Sequence, residues 1–168
     1  MDGQVLDDAL DELYDHALVF HGFTDYTRDY EVIVFLSSDP RSGIAPVHRR
    51  YLFKHCVQAT VTTMLRAETF AVSMDERYLT FDDADPMLGY VWAVRWQCLY
   101  PGGCQNSDSE IAQQWTEAVG VGFFEVELET NVQRITLVFA DFSVDDVPSG
   151  YTPFVVPDDG RGARIPLA

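Results

Sequence analysis

The densest run of ionisable side chains in the sequence is His21-Gly22-Phe23-Thr24-Asp25-Tyr26-Thr27-Arg28-Asp29-Tyr30-Glu31. An imidazole followed at short spacing by carboxylates is the raw material of general acid–base chemistry, with His21 oriented by Asp25 or Asp29. The stretch lies where a predicted helix hands over to a predicted central strand. Side chains at the end of a buried strand can be held rigidly, which a site requires. On this reading the chain is a small hydrolase or transferase working through His21, Asp25, Arg28 and Glu31. The structural alternative is local: Asp25 pairs with Arg28, and His21 caps the first helix near its negative end.

A second set of residues points to binding instead. Asp7, Asp8, Asp11 and Asp15 share one face of the first predicted helix, and Glu125, Glu127 and Glu129 alternate outward from a later strand. Each group alone reads as a solvated face. Together they outline a negative surface suited to a basic protein partner. Eleven Lys and Arg stand against twenty-seven Asp and Glu, a formal charge of −16, so many carboxylates have no cation to pair with.

That charge also excludes functions. A nucleic-acid backbone needs clustered Lys and Arg, and an anionic membrane surface needs the same, so neither is expected as a direct partner. No apolar run approaches the roughly 18 residues of a membrane span. The start, MDGQVLDDALDELYDHALVF, is acidic where a signal peptide is basic, which argues for the cytoplasm. Cys56, Cys98 and Cys104 are too few for a disulfide framework and are expected as free thiols. His16, His21, His48 and His55 lack zinc-ligand spacing, and no phosphate loop, nucleophile elbow or complete dinucleotide loop occurs, so neither metal nor cofactor is expected. His55 and Cys56 are neighbours on a strand and point to opposite faces, so they cannot activate each other.

The elements that position these residues follow from periodicity. Leu6, Leu10, Leu13, Ala17 and Leu18 recur at steps of three and four, which predicts a helix ended near Gly22. Tyr30 to Ser38 is apolar on both faces and reads as a central strand. Arg50 to Leu65 alternates with period two, a long strand expected to be bent or bulged. Another strand is expected near Tyr78 to Phe81. From Tyr90 to Tyr100 the aromatic row Tyr90, Trp92, Trp96 and Tyr100 shares one side, as core or as a groove, and Pro101-Gly102-Gly103 closes the strand. Ser107-x-x-Glu110 reads as a capping box ahead of a helix over 109–119, with Trp115 buried and Gly120 as the stop. Phe123 to Thr130 and the return through Ile135, Leu137 and Phe139 form a hairpin with one wet face. The sum is one α+β domain over 1–156. Two helices pack on one face of a largely antiparallel sheet of five or six strands, and 157–168 forms a flexible tail.

Several segments carry a family likeness. They are Phe20-His21-Gly22-Phe23-Thr24-Asp25-Tyr26 with Arg28-Asp29-Tyr30-Glu31, then Tyr51-Leu52-Phe53-Lys54-His55-Cys56-Val57. Gly89-Tyr90-Val91-Trp92, Trp96, Tyr100-Pro101-Gly102 and Glu129-Thr130-Asn131 complete them. With these the chain resembles the YxiG-like proteins, a bacterial family of unknown function common in actinobacteria, from about Leu6 to Phe154. The resemblance implies no catalytic residues. The layout is also similar, by analogy alone, to small bacterial immunity proteins that neutralise toxins by binding. The leading expectation is therefore a cytoplasmic acidic protein-binding module, immunity-like in character. The His21 enzyme is the alternative, and a nucleic-acid mimic is a third reading. The sequence says nothing of oligomeric state.

Overall fold

The computed structural model describes residues 3–24, 28–36, 40–64, 67, 97–148 and 150–152. The strand expected near 78–81, Asp25, the row members Tyr90, Trp92 and Trp96, and the tail 157–168 lie outside the described residues.

The chain runs α1 (Gly3–Asp11), β1 (Ala17–Phe23), β2 (Tyr30–Leu36), β3 (Val47–Lys54), β4 (Gln58–Thr63) and β5 (Gln97–Gln105). It continues with α2 (Glu110–Val119), β6 (Phe124–Thr130), β7 (Gln133–Phe139) and β8 (Asp141–Val147). The eight strands form one sheet in the order β4-β7-β6-β5-β1-β2-β3-β8, and every neighbouring pair is antiparallel. The expectation of an α+β domain with five or six strands is thus corrected: the described residues are mostly β, with eight strands and the short helices α1 and α2.

Three misread segments account for the difference. The helical spacing of Leu6, Leu10 and Leu13 holds, but Ala17 and Leu18 begin β1 instead of extending α1. Asp15, in the left-handed region at φ 62°, turns the chain between them. The long alternating stretch from Arg50 breaks at His55, also left-handed at φ 52°, so β3 and β4 are separate strands. The run DFSVDDV, whose acidic residues hide its alternation, forms β8.

The break at His55 has a counterpart at Ala140, between β7 and β8. The Ala140 amide donates to the Lys54 carbonyl at 3.1 Å, and the Val57 amide donates to the Val138 carbonyl at 2.8 Å. The ribbon β3-β4 therefore pairs with the ribbon β7-β8 on both sides of one bend. Since β4 and β8 are the two ends of the strand order, this ribbon folds the sheet over on itself. The inner faces meet in a single core containing Val32, Val34, Tyr51, Phe53, Leu99, Leu128, Ile135, Leu137 and Phe139.

The helix α1 lies against the core through Leu6, Leu10 and Leu13. Its approach explains Gly102 and Gly103, which do not close β5 as expected. A Cβ on Gly103 would sit 2.8 Å from Leu10 Cδ2, and Gly102, at φ 107°, lies beside the Tyr14 backbone. Glycine at both positions lets helix and strand come into contact. The strand passes through a bulge between Leu99 and Gly102, with a cis Tyr100-Pro101 peptide, and continues to Gln105.

The helix α2 forms where expected, and Gly120 ends it in the left-handed conformation at φ 76°. Its cap is Ser109, not Ser107: Ser109 Oγ accepts from the Ala112 amide at 3.1 Å. Trp115 is 38% exposed and stacks on Phe123 with ring centroids 5.8 Å apart, so its expected burial is corrected. Only Ala112 of this helix is buried, which makes α2 a surface element. No described helix is long and apolar enough to cross a membrane.

Candidate functional site

The four aspartates of the first helix region are placed in two parts, Asp7, Asp8 and Asp11 on α1 and Asp15 on the turn beyond it. Asp7, Asp8, Asp11 and Asp15 are all exposed, while Leu6, Leu10 and Leu13 take the buried side. None has a described cation within ion-pair distance. Gln4 donates to Asp8 at 2.7 Å, and the Cys98 thiol donates to Asp15 at 3.4 Å. Several described cations are committed elsewhere. Arg28 pairs with Asp29, Arg49 with Glu12 and Asp146, Arg50 with Asp145, and Lys54 with Asp141.

The glutamate ladder is different. Arg134 reaches both Glu127 and Glu129 at 3.2 Å, across the β6-β7 pair. Glu125 accepts from Ser109 at 2.6 Å and from Asn106 at 2.9 Å. The ladder also faces away from α1. Leu128 shares the core face with Leu10, so Glu127 and Glu129 on either side of it point outward. The two acidic groups do not merge into one surface.

Beside the aspartates, Tyr14 and Tyr100 expose 54% and 56% of their surface and pack ring on ring at 5.6 Å. Tyr100 is the one described member of the aromatic row, and it lies on the surface.

The described members of the sequence-predicted enzyme site, His21, Arg28 and Glu31, are not brought together. In β1 and β2, His21 pairs with Val32 and Gly22 pairs with Glu31. Val32 is a core residue, so His21 points inward and Glu31 lies on the outer face of the sheet. Arg28 is 64% exposed and paired with Asp29, whose other contact is the His55 amide at 2.9 Å. His21 Nδ1 sits 2.6 Å from the Tyr30 hydroxyl and Nε2 sits 3.3 Å from Gln133 Oε1. A neutral ring protonated on Nε2 satisfies both: it donates to Gln133 and accepts from Tyr30. Burial lowers the His21 pKa below its usual value, against the smaller opposing pull of Gln133.

The nearby Cys56 donates to the Gln58 carbonyl at 3.1 Å, and burial pushes its thiol up to about 11. Burial first, and Cys56 second, push Tyr30 up to about 12. Nothing here is an activated nucleophile, because the thiolate is the reactive form and burial opposes it. All three cysteines are free, and no group of three or more metal-ligating side chains occurs among the described residues.

This cluster sets a pH dependence. The unfolded chain binds a proton on His21 near pH 6.5, whereas the folded protein resists it, so stability is full above that pH and declines as pH falls below it. Denaturant midpoints measured between pH 7.5 and 5.5 are expected to fall in the native protein and to flatten in His21→Gln (about pH 6.5 marks the onset). Parallel curves would remove His21 as the cause.

A further polar group, not singled out from the sequence, lies between the end of α1 and the start of β3. Arg49 Nε donates to Asp146 at 2.8 Å, and Nη1 donates to Glu12 at 2.9 Å. Tyr51, two residues on and on the same face, is fully buried. Burial, with Glu12 next, pushes its hydroxyl up to about 12. The period-two reading of residues 50–65 placed Tyr51 with Phe53. Extending it back by two residues would have found Arg49.

Comparison with known proteins gives one positive result. A family model described as YxiG-like protein matches residues 2–157. No curated protein and no solved structure matches the chain.

Proposed function

The chain belongs to the YxiG-like protein family, and we propose that it is a cytoplasmic acidic protein-binding module that captures a basic protein partner. One observation carries the reading. Asp7, Asp8 and Asp11 stand exposed on α1 and Asp15 on the turn that follows, with no described cation to neutralise them, and the exposed Tyr14–Tyr100 pair adjoins that turn. Unneutralised charge of one sign raises the local concentration of opposite charge and speeds encounter. Aromatic rings beside it hold cationic side chains through their faces. The glutamate ladder adds less, because Arg134, Ser109 and Asn106 already engage it. The free thiols suit a reducing compartment. An immunity-like role is the form of this reading in which the captured protein is a toxin.

The test is a quantified pull-down from the source organism with the native chain and with Asp7, Asp8, Asp11 and Asp15 all changed to Asn. At about 50 mM salt, recovery of basic proteins by the variant is expected to fall roughly tenfold, and high salt should bring the native chain down to the same level. If both recover the same proteins equally at both salts, the face serves solubility alone and the reading fails.

A further inference from the structure

At one end of the sheet order, β4 has β7 on one side and no described strand on the other. Just past its end, the Met64 amide donates to the Val132 carbonyl at 2.8 Å. Hydrogen-bonded pairs alternate along an antiparallel ladder, so Thr62, Thr60 and Gln58 turn their backbone groups toward β7. Ala59 and Val61 turn theirs away, and among the described residues nothing bonds to them there. We infer that this edge is a self-pairing surface: β4 adds antiparallel to β4 of a second copy of this chain, about a two-fold axis at Thr60.

Charge selects the edge. The stretch Gln58–Thr63, QATVTT, carries no charge in a chain of formal charge −16. Arg134, opposite Thr62 on β7, is already held by Glu127 and Glu129. The other end of the sheet order is guarded. There β8 carries Asp141, Asp145 and Asp146, and two copies of that strand would set like charges against each other. Charged side chains protect an edge strand from pairing, whereas an uncharged β-branched edge is a template for it.

Register selects the partner. The outward backbone groups belong to Ala59 and Val61, on either side of Thr60. An axis at Thr60 sets Ala59 opposite Val61 of the second copy and Val61 opposite its Ala59. Each of these pairs exchanges two hydrogen bonds. A second copy supplies this matching edge by symmetry alone, as an isologous interface requires. Ala59 packs on the core side, so the exposed Thr60 stands on the outer face. At the axis it meets its own counterpart as a close, non-hydrogen-bonded pair, where threonine side chains favour each other. Val61, 44% exposed in the single chain, gains a covering neighbour.

Sedimentation velocity on the full chain at about 0.5 M salt tests the pairing, because that salt screens the repulsion between two acidic copies. A short edge buries less than a standard interface, so a dissociation constant on the order of 100 μM is expected. Lowering the salt to about 50 mM should weaken the pairing, the reverse of its effect on capture of a basic protein. The Ala59 and Val61 amides should exchange with deuterium quickly in dilute protein and slow severalfold as the dimer forms. Thr60→Glu and Thr60→Lys, both at an exposed position and expected to keep the native melting temperature, should each stay monomeric. Their one-to-one mixture should pair again, since Glu then faces Lys across the axis. A native chain that is monomeric throughout overturns the proposal. So does a dimer that survives Thr60→Glu, or a mixture that pairs no better than either variant alone. Protection of Ala59 and Val61 that appears only with added cell extract assigns the edge to another protein's strand and overturns it equally.

Discussion

Phe53→Ala should destabilise the fold by about 3–5 kcal/mol, the usual cost of truncating a fully buried phenylalanine. The reason lies in where Phe53 sits. It is completely buried on β3, opposite Phe142 of β8 in the strand register. Its ring meets Phe139 of β7 edge-on at 4.9 Å and Phe142 at 5.1 Å. Two residues further on, the chain bends at His55 and enters the other half of the sheet. Phe53 thus fills the fold of the sheet, where side chains from both halves close on each other. Alanine leaves a cavity bounded by two paired ribbons whose backbones are held by hydrogen bonds on both sides of the bend, so collapse to fill it is limited. Each lost aromatic pair adds roughly 0.5–1.5 kcal/mol beyond area alone. Against a typical domain stability of about 5–15 kcal/mol, the variant should be marginal. Urea midpoints test this, with Phe53→Leu as the milder companion, which leaves a smaller cavity but loses the same ring pairs and should cost about 1–3 kcal/mol. A cost below that range for the alanine variant would mean that the two halves do not depend on this contact.

What the sequence made readable, and what it did not, divides along a physical line. Periods set by one element's own burial came through. The stripe Leu6, Leu10, Leu13 marks α1, Gly120 ends α2, and the alternation of Val126 and Leu128 with Glu125, Glu127 and Glu129 marks β6. The outward face of α1 was readable for the same reason. What depends on strand register was hidden. Glu129 pairs opposite Arg134, and only that pairing shows that the ladder is neutralised. His21 and Glu31 stand on opposite faces because of how β1 is set against β2, after a bulge between Leu18 and Phe20. The left-handed turns at Asp15 and His55 use residues without the usual glycine signal. The ion pairs of Arg49 join Glu12 and Asp146 from stretches far apart in the chain, a proximity that no local spacing announces.

Tyr151→Phe should cost about 1.5–3 kcal/mol, although it removes a single oxygen from a partly exposed residue. Beyond β8, Gly150 adopts a left-handed conformation at φ 85°, and the Tyr151 amide donates to the Pro148 carbonyl at 3.0 Å. That turn brings Tyr151 back over the outer face of β2 and β3. There its hydroxyl donates to Glu31 Oε2 at 2.9 Å and accepts from Arg50 Nη1 at 3.3 Å. The Arg50 guanidinium also lies 5.8 Å from the centre of the Tyr151 ring and donates to Asp145 at 3.2 Å. Glu31 is wholly buried, so its carboxyl group cannot turn to water when the tyrosine hydroxyl is removed. Hydrogen bonds to charged groups lie at the strong end of the range, and leaving a buried acceptor short of a donor adds its desolvation cost. Phenylalanine keeps the ring beside Ile33 and Val147, which line the same small cavity, so packing is preserved and the loss isolates the hydroxyl. Glu31→Gln in the same background completes a double-mutant cycle. The two changes share one hydrogen bond, so their combined cost should fall short of the sum by about 0.5–3 kcal/mol. Additive costs, or a Tyr151→Phe penalty within about 0.5 kcal/mol of zero, would show that Tyr151 rests on the sheet without fastening to it.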